Sequence, residues 1–286
     1  MKLIDRLFDR VSSHGHVCLG LDTDYTYLPE DFAAGFSSQG EAVYEFNRRI
    51  IDSTLDVVAC YKVQIAYYEA LGVQGIQAYA KTLSYLRGKG AIVIADVKRG
   101  DIAKTAEMYA VAHYSGDFEV DFITLSPYMG METIAPFLPW IKDSRKGAFA
   151  LVATSNPGAS DIQGLICDGI SVSEKVGEMI SNIAEEYTGE CGYSPLGAVV
   201  GCTNREQTAR IRERLKNIFF LIPAYGAQGG KAQDVAAYLK DGNGGVVNSS
   251  RDILLACKSP AFEGMSFNEA ARAECLRMRD DILQYC

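Results

Sequence analysis

Short apolar segments alternate with longer amphipathic segments along this chain, and that alternation limits the possible folds more than any other feature of the sequence. The apolar runs have the length of β-strands, about 4–8 residues. They stay apolar on both faces until their last residues, as expected for parallel strands covered by helices. The predicted strands are Val17–Asp22, Val57–Gln64, Ala91–Lys98, Phe122–Ser126, Ala148–Ser155, Leu196–Cys202, Phe219–Tyr225 and Gly245–Ser250.

Amphipathic segments with helical periodicity lie between these runs. The predicted helices include Glu41–Leu55, Gly75–Leu86, Ile102–His113, Val172–Tyr187, Arg205–Leu215, Ala232–Leu239 and Phe267–Leu283. Eight β-α repeats predict a closed (β/α)8 TIM barrel. No linker or break in composition divides the chain, so residues 1–286 are predicted to form a single catalytic domain. A doubly wound open sheet is the structural alternative, but the GxGxxG turn that usually follows its first strand is absent.

Composition excludes several classes of partner. The chain has Lys+Arg 28 against Asp+Glu 36, a net charge of -8, so a nucleic-acid partner or an anionic membrane surface is not expected. No apolar stretch approaches the roughly 18 residues of a membrane span, and the first ten residues lack the apolar core of a secretion signal. The eight cysteines are scattered without a CxxC pair. We therefore expect reduced thiols and a cytoplasmic location.

Charged residues terminate the first three predicted strands. The residues are Asp22, Lys62, Asp96 and Lys98, with Asp101 just beyond the third strand. Because residues i and i+2 of a strand lie on the same side, Asp96 and Lys98 should both point to the barrel mouth. Such charges are costly to desolvate unless they pair, so they form either a structural ion-pair network or a catalytic array. Their position on the face that carries function in this fold favours catalysis, and the inserts Thr23–Gly40 and Asn156–Ser171 are predicted to be loops on that face.

The charge pattern also restricts the chemistry. A Schiff-base lysine must be neutral when it attacks, whereas carboxylates on both sides would keep Lys98 protonated. A cationic lysine can instead stabilise a carbanion or deliver a proton, which suits proton transfer at carbon or loss of carbon dioxide. No His, Asp or Glu group has metal-ligand spacing at the strand ends, so no metal is expected.

A phosphate site is predicted where the seventh and eighth strands end. Gly229 and Gly230 let a backbone approach closely, Gln228 offers an amide donor, and Arg251 supplies a bidentate fork. TIM barrels often bind phosphate at this position. The alternative is an ordinary glycine turn beside a surface arginine.

The segment 96–105, DVKRGDIAKT, resembles the DxKRGDIxxT signature of the orotidine 5'-phosphate decarboxylase family, in its longer-chain bacterial branch (type 2). The resemblance spans nearly the whole chain, and the ordered set of motifs is far more specific than any one of them. The further matching segments are GLDTD at 20–24, YKVQIAYYE at 61–69, TLSPYMG at 124–130, TSNPGA at 154–159, PAYGAQGG at 223–230 and NSSR at 248–251.

The resemblance implies decarboxylation of a nucleoside monophosphate, orotidine 5'-monophosphate, to UMP, with neither cofactor nor metal. It also implies an alternating array of Lys62, Asp96, Lys98 and Asp101. Lys98 would stabilise and protonate the C6 carbanion, and Asp96 would lie near the departing carboxylate. Asp101 and Thr105 would reach into the site of a neighbouring subunit, which implies a homodimer.

The resemblance assigns the remaining contacts with the nucleotide as well. Asp22, together with Lys62, would hold the ribose hydroxyls, and Ser155 would contact the pyrimidine, with Ser126 as the alternative. Gln228 and Arg251 would grip the phosphate. The sequence departs from the family at Ala224, where a glycine is usual, and the methyl group restricts the backbone of the phosphate loop there.

Two other functions are compatible with a barrel of this kind. The first is a metal-dependent sugar-phosphate decarboxylase or aldolase of the same superfamily, which would carry a carboxylate where this chain has Lys62. The second is a catalytically silent barrel acting as a binding or scaffold protein. Loss of catalysis should leave gaps in the charge array, and the sequence has none.

Overall fold

The computed structural model describes residues 1–143, 145–201, 205–223, 225, 230, 232–236 and 238–286, and for 205–208 it describes the backbone only. Ten strands lie within these residues: β1 (Val17–Gly20), β2 (Cys60–Gln64), β3 (Val93–Arg99), β4 (Phe122–Leu125), β5 (Gly147–Ala153), β6 (Ile166–Cys167), β7 (Ile170–Ser171), β8 (Ser194–Val200), β9 (Ile218–Ile222) and β10 (Gly245–Ser249).

Helices connect the strands. In the described part of the chain they are α1 (Leu3–His14), α2 (Glu30–Ala33), α3 (Gln39–Thr54), α4 (Ile65–Glu69), α5 (Gly72–Gly88), α6 (Ala103–Tyr114), α7 (Leu138–Lys142), α8 (Val172–Ala184), α9 (Arg205–Arg214), α10 (Ala232–Ala236), α11 (Arg251–Leu254) and α12 (Phe267–Leu283). None of these combines the length and the apolar character that a bilayer-crossing helix needs.

Eight of the strands close into a parallel barrel, in the order β1-β2-β3-β4-β5-β8-β9-β10 and back to β1. The predicted (β/α)8 barrel is confirmed. Closure pairs the first strand with the last, with Cys18 opposite Asn248 on one side of β1 and opposite Cys60 on the other. All strand carboxyl ends therefore meet at one rim of the barrel.

Helix α1 covers the opposite end of the barrel. Its apolar face, which includes Leu3, Leu7 and Val11, is buried in one cluster with side chains from the barrel strands. Asp5 Oδ1 accepts a hydrogen bond of 2.9 Å from the amide of Cys191, shortly before β8 begins. This end of the barrel is thus packed with apolar side chains, and space for a ligand is left at the carboxyl rim.

The strand boundaries differ from the sequence-based ones by one to three residues at both starts and ends. The second strand begins at Cys60 rather than Val57, and the buried residues 57–59 lead from a turn into the strand. Hydrophobicity reports burial rather than ladder pairing, so it could not distinguish this turn from a strand.

The two inserts predicted as loops contain regular structure. The first includes α2, and the second includes the hairpin β6–β7. Asp168 and Gly169 link the hairpin strands with φ of 53° and 83°. An Asp-Gly pair between short apolar runs is a strong hairpin signal, because both residues tolerate positive φ in a tight turn.

Barrel packing predicts a strict requirement for Gly197 on β8. A Cβ atom there would lie 2.5 Å from the carbonyl oxygen of Phe219 and 2.7 Å from two ring carbons of Phe149. We expect Gly197→Ala to lower the free energy of unfolding by about 1–3 kcal/mol through overpacking, measured by urea titration. Gly88→Ala is the matched control, because a Cβ at this exposed helix end meets no atom within 4 Å. Equal stability of the two variants would contradict the packing argument.

Candidate active site

A cavity of about 480 Å³ opens at the carboxyl rim of the barrel. Its polar lining comes from the ends of the strands and the segments that follow them, while its floor includes Leu151, Val199 and Leu221. The polar and aromatic residues are Asp22, Tyr27, Lys62, Tyr67, Asp96, Lys98, Thr124, Thr154, Ser155, Asn156, Tyr225, Asn248, Ser249, Ser250 and Arg251.

Asp96 is the centre of the polar network in this cavity. Its Oδ1 accepts hydrogen bonds from Lys98 Nζ at 2.7 Å and Thr124 Oγ1 at 3.0 Å. Its Oδ2 accepts from Lys62 Nζ at 3.1 Å and Gln64 Nε2 at 2.8 Å. Burial favours the neutral acid, but the two lysines outweigh it and lower the pKa of Asp96 to about 2. The carboxylate is therefore ionised throughout the neutral range.

Lys62 joins Asp96 to Asp22. Its side chain is 7% exposed, and its Nζ lies 2.8 Å from Asp22 Oδ1. Burial disfavours the ammonium form, but the two carboxylates more than offset this and raise the pKa of Lys62. The strand register produces this arrangement, because it places Lys62 opposite Gly20 on β1 and Gln64 opposite Asp96 on β3.

The last strand completes the support of Asp22. Ser250 Oγ donates to Asp22 Oδ2 at 2.8 Å, and Asn248 Nδ2 lies 3.3 Å from the same hydroxyl oxygen. Gly20 leaves room for this contact, since a Cβ there would lie 1.9 Å from Ser250 Oγ. Both oxygens of Asp22 are thus engaged before any ligand binds.

The strand β3 is irregular where it carries Lys98. Ala95 pairs with Ile123 and Arg99 with Leu125, so three residues of β3 lie opposite Thr124 alone. Lys98 adopts φ of 44°, in the left-handed region that residues other than glycine rarely occupy. Its side chain is 49% exposed and directed to Asp96. The simple i, i+2 alternation predicted for Asp96 and Lys98 is therefore broken, although the two side chains still meet.

The structure brings together some predicted site residues and separates others. Ser155 and Arg251 line the cavity with the charge array. Ser126 lies past the end of β4, where its amide donates to the carbonyl of Arg99 at 2.7 Å. Asp101 lies two residues before α6 and Thr105 lies in its first turn, and neither is among the described residues that line the cavity. The predictions for Gln228, Gly229 and Ala224 lie outside the described residues.

Sequence reasoning missed Thr124, Ser250 and the contact of Gln64 with Asp96. Each of these residues lies within one position of the carboxyl end of a strand, and that position was the available signal. A buried carboxylate needs neutral hydrogen-bond donors as well as cations, so polar strand-end residues beside Asp96 belong to the site. In the described part of the chain, no three His, Cys, Asp or Glu side chains converge as a metal site would require.

The pKa of Asp96 predicts a pH dependence of stability. Its folded pKa of about 2 lies below its ordinary 3.8. The group therefore adds stability above pH 4 that is lost as the pH falls towards 2. The shift corresponds to about 2 kcal/mol, of which about half is lost between pH 6 and pH 3. In urea titrations at these two pH values, Asp96→Asn should lose about 1 kcal/mol less stability than the wild type.

Asp121→Asn is a control that should change the pH dependence of stability in the opposite direction. Burial raises the pKa of Asp121, so its carboxyl group adds stability at low pH that is lost as the pH rises. This variant should lose more stability than the wild type between pH 6 and pH 3. The same pH dependence in all three proteins would contradict the ionised state assigned to Asp96.

Known proteins resemble this chain over almost its full length. Residues 15–263 match the model of the orotidine 5'-phosphate decarboxylase / HUMPS family. A Clostridium acetobutylicum orotidine 5'-phosphate decarboxylase is 58% identical over 281 residues, covering 98% of each chain. One from Clostridium kluyveri is 56% identical over 283 residues, covering 99% of this chain and 97% of the relative.

A solved structure supports the same relationship. The crystal structure of a putative orotidine 5'-phosphate decarboxylase from Streptomyces avermitilis has a TM-score of 0.81 and 30% sequence identity, and the match covers 98% of this chain and 94% of that chain. Fold and sequence therefore agree with the resemblance carried by the strand-end motifs. The chain belongs to the orotidine 5'-phosphate decarboxylase / HUMPS family.

Proposed function

We propose that this chain decarboxylates orotidine 5'-monophosphate to UMP and carbon dioxide, the last step of de novo pyrimidine nucleotide synthesis, without a cofactor. The observation that carries the proposal is the continuous array Asp22–Lys62–Asp96–Lys98 at the mouth of the barrel cavity. Relatives at 56–58% identity bear the name of this enzyme. The array supplies a cation that can stabilise a carbanion, beside a fixed anion that would repel a substrate carboxylate.

The reaction needs one proton and no redox partner. The bond between C6 and the carboxylate carbon breaks, carbon dioxide leaves, and the electron pair remains on C6. The Lys98 ammonium stabilises this carbanion and then gives it a proton, which forms the C6–H bond. Solvent returns the proton to Lys98, whose side chain is 49% exposed. This exposure allows Lys98 to contact the substrate and to regain its proton from water.

Asp96 contributes to the reaction through its negative charge, because its carboxylate is not easily protonated. Lys62, Gln64 and Thr124 hold the carboxylate in place, and its pKa of about 2 keeps it ionised. A substrate carboxylate bound beside it would be repelled, whereas the neutral carbon dioxide product would not. The repulsion therefore acts on the ground state and is relieved as the C–C bond breaks.

The other cavity residues bind the nucleotide in this proposal. Asp22 and Lys62 hold the ribose hydroxyls, and Ser155 contacts the pyrimidine. Arg251 binds the phosphate, together with Gln228 and the backbone at Gly229. Ser155 and Arg251 line the same cavity as the charge array, which supports their assignment. Binding energy from the phosphate, remote from C6, would be used to hold the reacting carbon at Lys98.

A metal-dependent sugar-phosphate reaction is disfavoured by the charge at the end of β2. Lys62 occupies the position where that reaction would need a carboxylate ligand. Its ammonium lies 2.8 Å from Asp22 and 3.1 Å from Asp96. A divalent cation between these carboxylates would have to displace a buried, ion-paired lysine and would be repelled by it.

We further propose that the enzyme is a homodimer in which Asp101 and Thr105 serve the partner's site. These two residues lie outside the cavity of their own chain, Asp101 just before α6 and Thr105 in its first turn. On the outer face of α6, Met108 is 49% exposed and Val111 is also exposed, next to a groove lined by Trp140. An exposed apolar face beside displaced site residues is expected at a subunit interface.

We also propose a cytoplasmic location. The seven cysteines that the structure describes are all free thiols. Cys18 and Cys60 are buried on adjacent strands and remain unbridged. Thiols in this state are typical of reducing compartments.

The central test is decarboxylation itself, followed by loss of pyrimidine absorbance in the presence of EDTA. The wild type should turn over orotidine 5'-monophosphate, and Lys98→Ala should lose almost all of kcat while still binding UMP, because only the proton donor is removed. Lys89→Ala is the matched control, since Lys89 is a partly exposed lysine paired with Asp52 away from the cavity. Wild-type turnover that depends on added metal would overturn the proposal, and wild-type kcat in Lys98→Ala would overturn the role of Lys98.

The dimer has its own test. The wild type should sediment as a dimer, and Met108→Glu should shift it towards monomer, because a charge would be buried at the interface. Its kcat/KM should fall in parallel, since the partner's Asp101 and Thr105 are lost. Met179→Glu, a change at a similarly exposed methionine on α8, should leave both properties unchanged. A monomeric wild type with full activity would contradict the proposed assembly.

A further inference from the structure

The irregular part of β3 leaves two backbone amides without the usual ladder partners. Three residues, Asp96, Val97 and Lys98, lie opposite the single residue Thr124 on β4. The amides of Val97 and Lys98 both donate to Thr124 Oγ1, at 3.0 and 2.9 Å. A side-chain hydroxyl thus replaces the backbone carbonyl that a regular strand would offer.

These contacts fix the direction of the third hydrogen bond of Thr124. A hydroxyl has two acceptor positions and one proton. Because amide groups can only donate, Val97 and Lys98 use both acceptor positions of Oγ1. The proton must then point to Asp96 Oδ1, 3.0 Å away. The Thr124 side chain is buried at 1% exposure, so water does not compete strongly for these bonds.

We propose that Thr124 is a positioning residue for the decarboxylation, holding the Lys98 backbone and the Asp96 carboxylate in one fixed arrangement. This inference rests on the proposed function of the cavity. One oxygen atom contacts both partners of the reacting ion pair, the carboxylate directly and the lysine through its backbone. No charge or nucleophile is contributed by Thr124, so its effect is on geometry.

The lysine needs this support because its own conformation is unfavourable. Lys98 has φ of 44°, which a residue with a Cβ adopts only when its surroundings enforce it. Its side chain is half exposed and carries four rotatable bonds, so packing alone does not direct Nζ. Without the Thr124 bond, the peptide at Lys98 is free to relax towards regular strand geometry, which would turn the ammonium away from C6.

The test compares three substitutions at this position in the full-length enzyme. Thr124→Val keeps the shape but removes the hydroxyl, Thr124→Ala removes it without placing a methyl group against the amides, and Thr124→Ser retains it. Thr82→Val is the matched control, because the Thr82 hydroxyl is also buried but donates to the carbonyl of Ala78 within α5. The measurements are kcat and KM for orotidine 5'-monophosphate, the affinity for UMP, and the thermal unfolding midpoint.

We expect kcat to fall by about 10–100-fold in Thr124→Val and Thr124→Ala, with KM and UMP affinity within about 3-fold of the wild type, because the reacting groups are displaced but the binding groups are not. Thr124→Ser should retain kcat within about 3-fold. Thr82→Val should reduce only the unfolding midpoint. If the valine variant does not fold, the alanine variant decides the same question.

The possible failures are distinguishable. No turnover by the wild type would overturn the proposed function and this inference with it. Wild-type turnover with an unchanged kcat in Thr124→Val or Thr124→Ala would overturn the inference alone. So would a loss confined to KM, or a serine variant as slow as the valine variant, because a purely structural or binding role predicts those results.

Discussion

The arrangement of this protein's cavity depends on keeping one buried carboxylate ionised. Asp96 has little contact with water, so its charge must be balanced by donors that the fold brings to it. Those donors come from three adjacent strands: Lys62 and Gln64 from β2, Lys98 from β3 itself, and Thr124 from β4. A shift of register in β2 or β4 would move these donors away from Asp96. The ionised state of Asp96 therefore depends on the strand pairing of the barrel.

The two ends of the barrel interior differ in polarity. At the α1 end, apolar side chains fill the space and exclude water. At the rim, polar strand ends line a cavity. This separation explains how a chain with a net charge of -8 can be suited to an anionic nucleotide. Lys62, Lys98 and Arg251 concentrate positive charge at the cavity, while the excess of acidic residues lies elsewhere.

The fold and the charged part of the site could be predicted from sequence because both follow simple periodicity. Strands that are apolar on both faces predicted the barrel. The charged residues at the strand ends predicted that Lys62, Asp96 and their neighbours form the site. The bulge at Lys98 could not be predicted, because it depends on a register shift against β4 that no local pattern reveals. The roles of Thr124 and Ser250 were hidden for the same reason, since each acts on a residue of another strand.

The contact between Ser250 and Asp22 has a consequence for the order of events during synthesis. The two residues are 228 positions apart, and they meet only when β10 docks against β1. Closing so long a loop carries a large entropic cost, so the contact should form late in folding. A nascent chain in which β10 is still within the ribosome therefore lacks the hydrogen bond to Asp22 Oδ2 and can support Asp22 only through Lys62. The part of the cavity around Asp22 is completed only after nearly the whole chain has been translated.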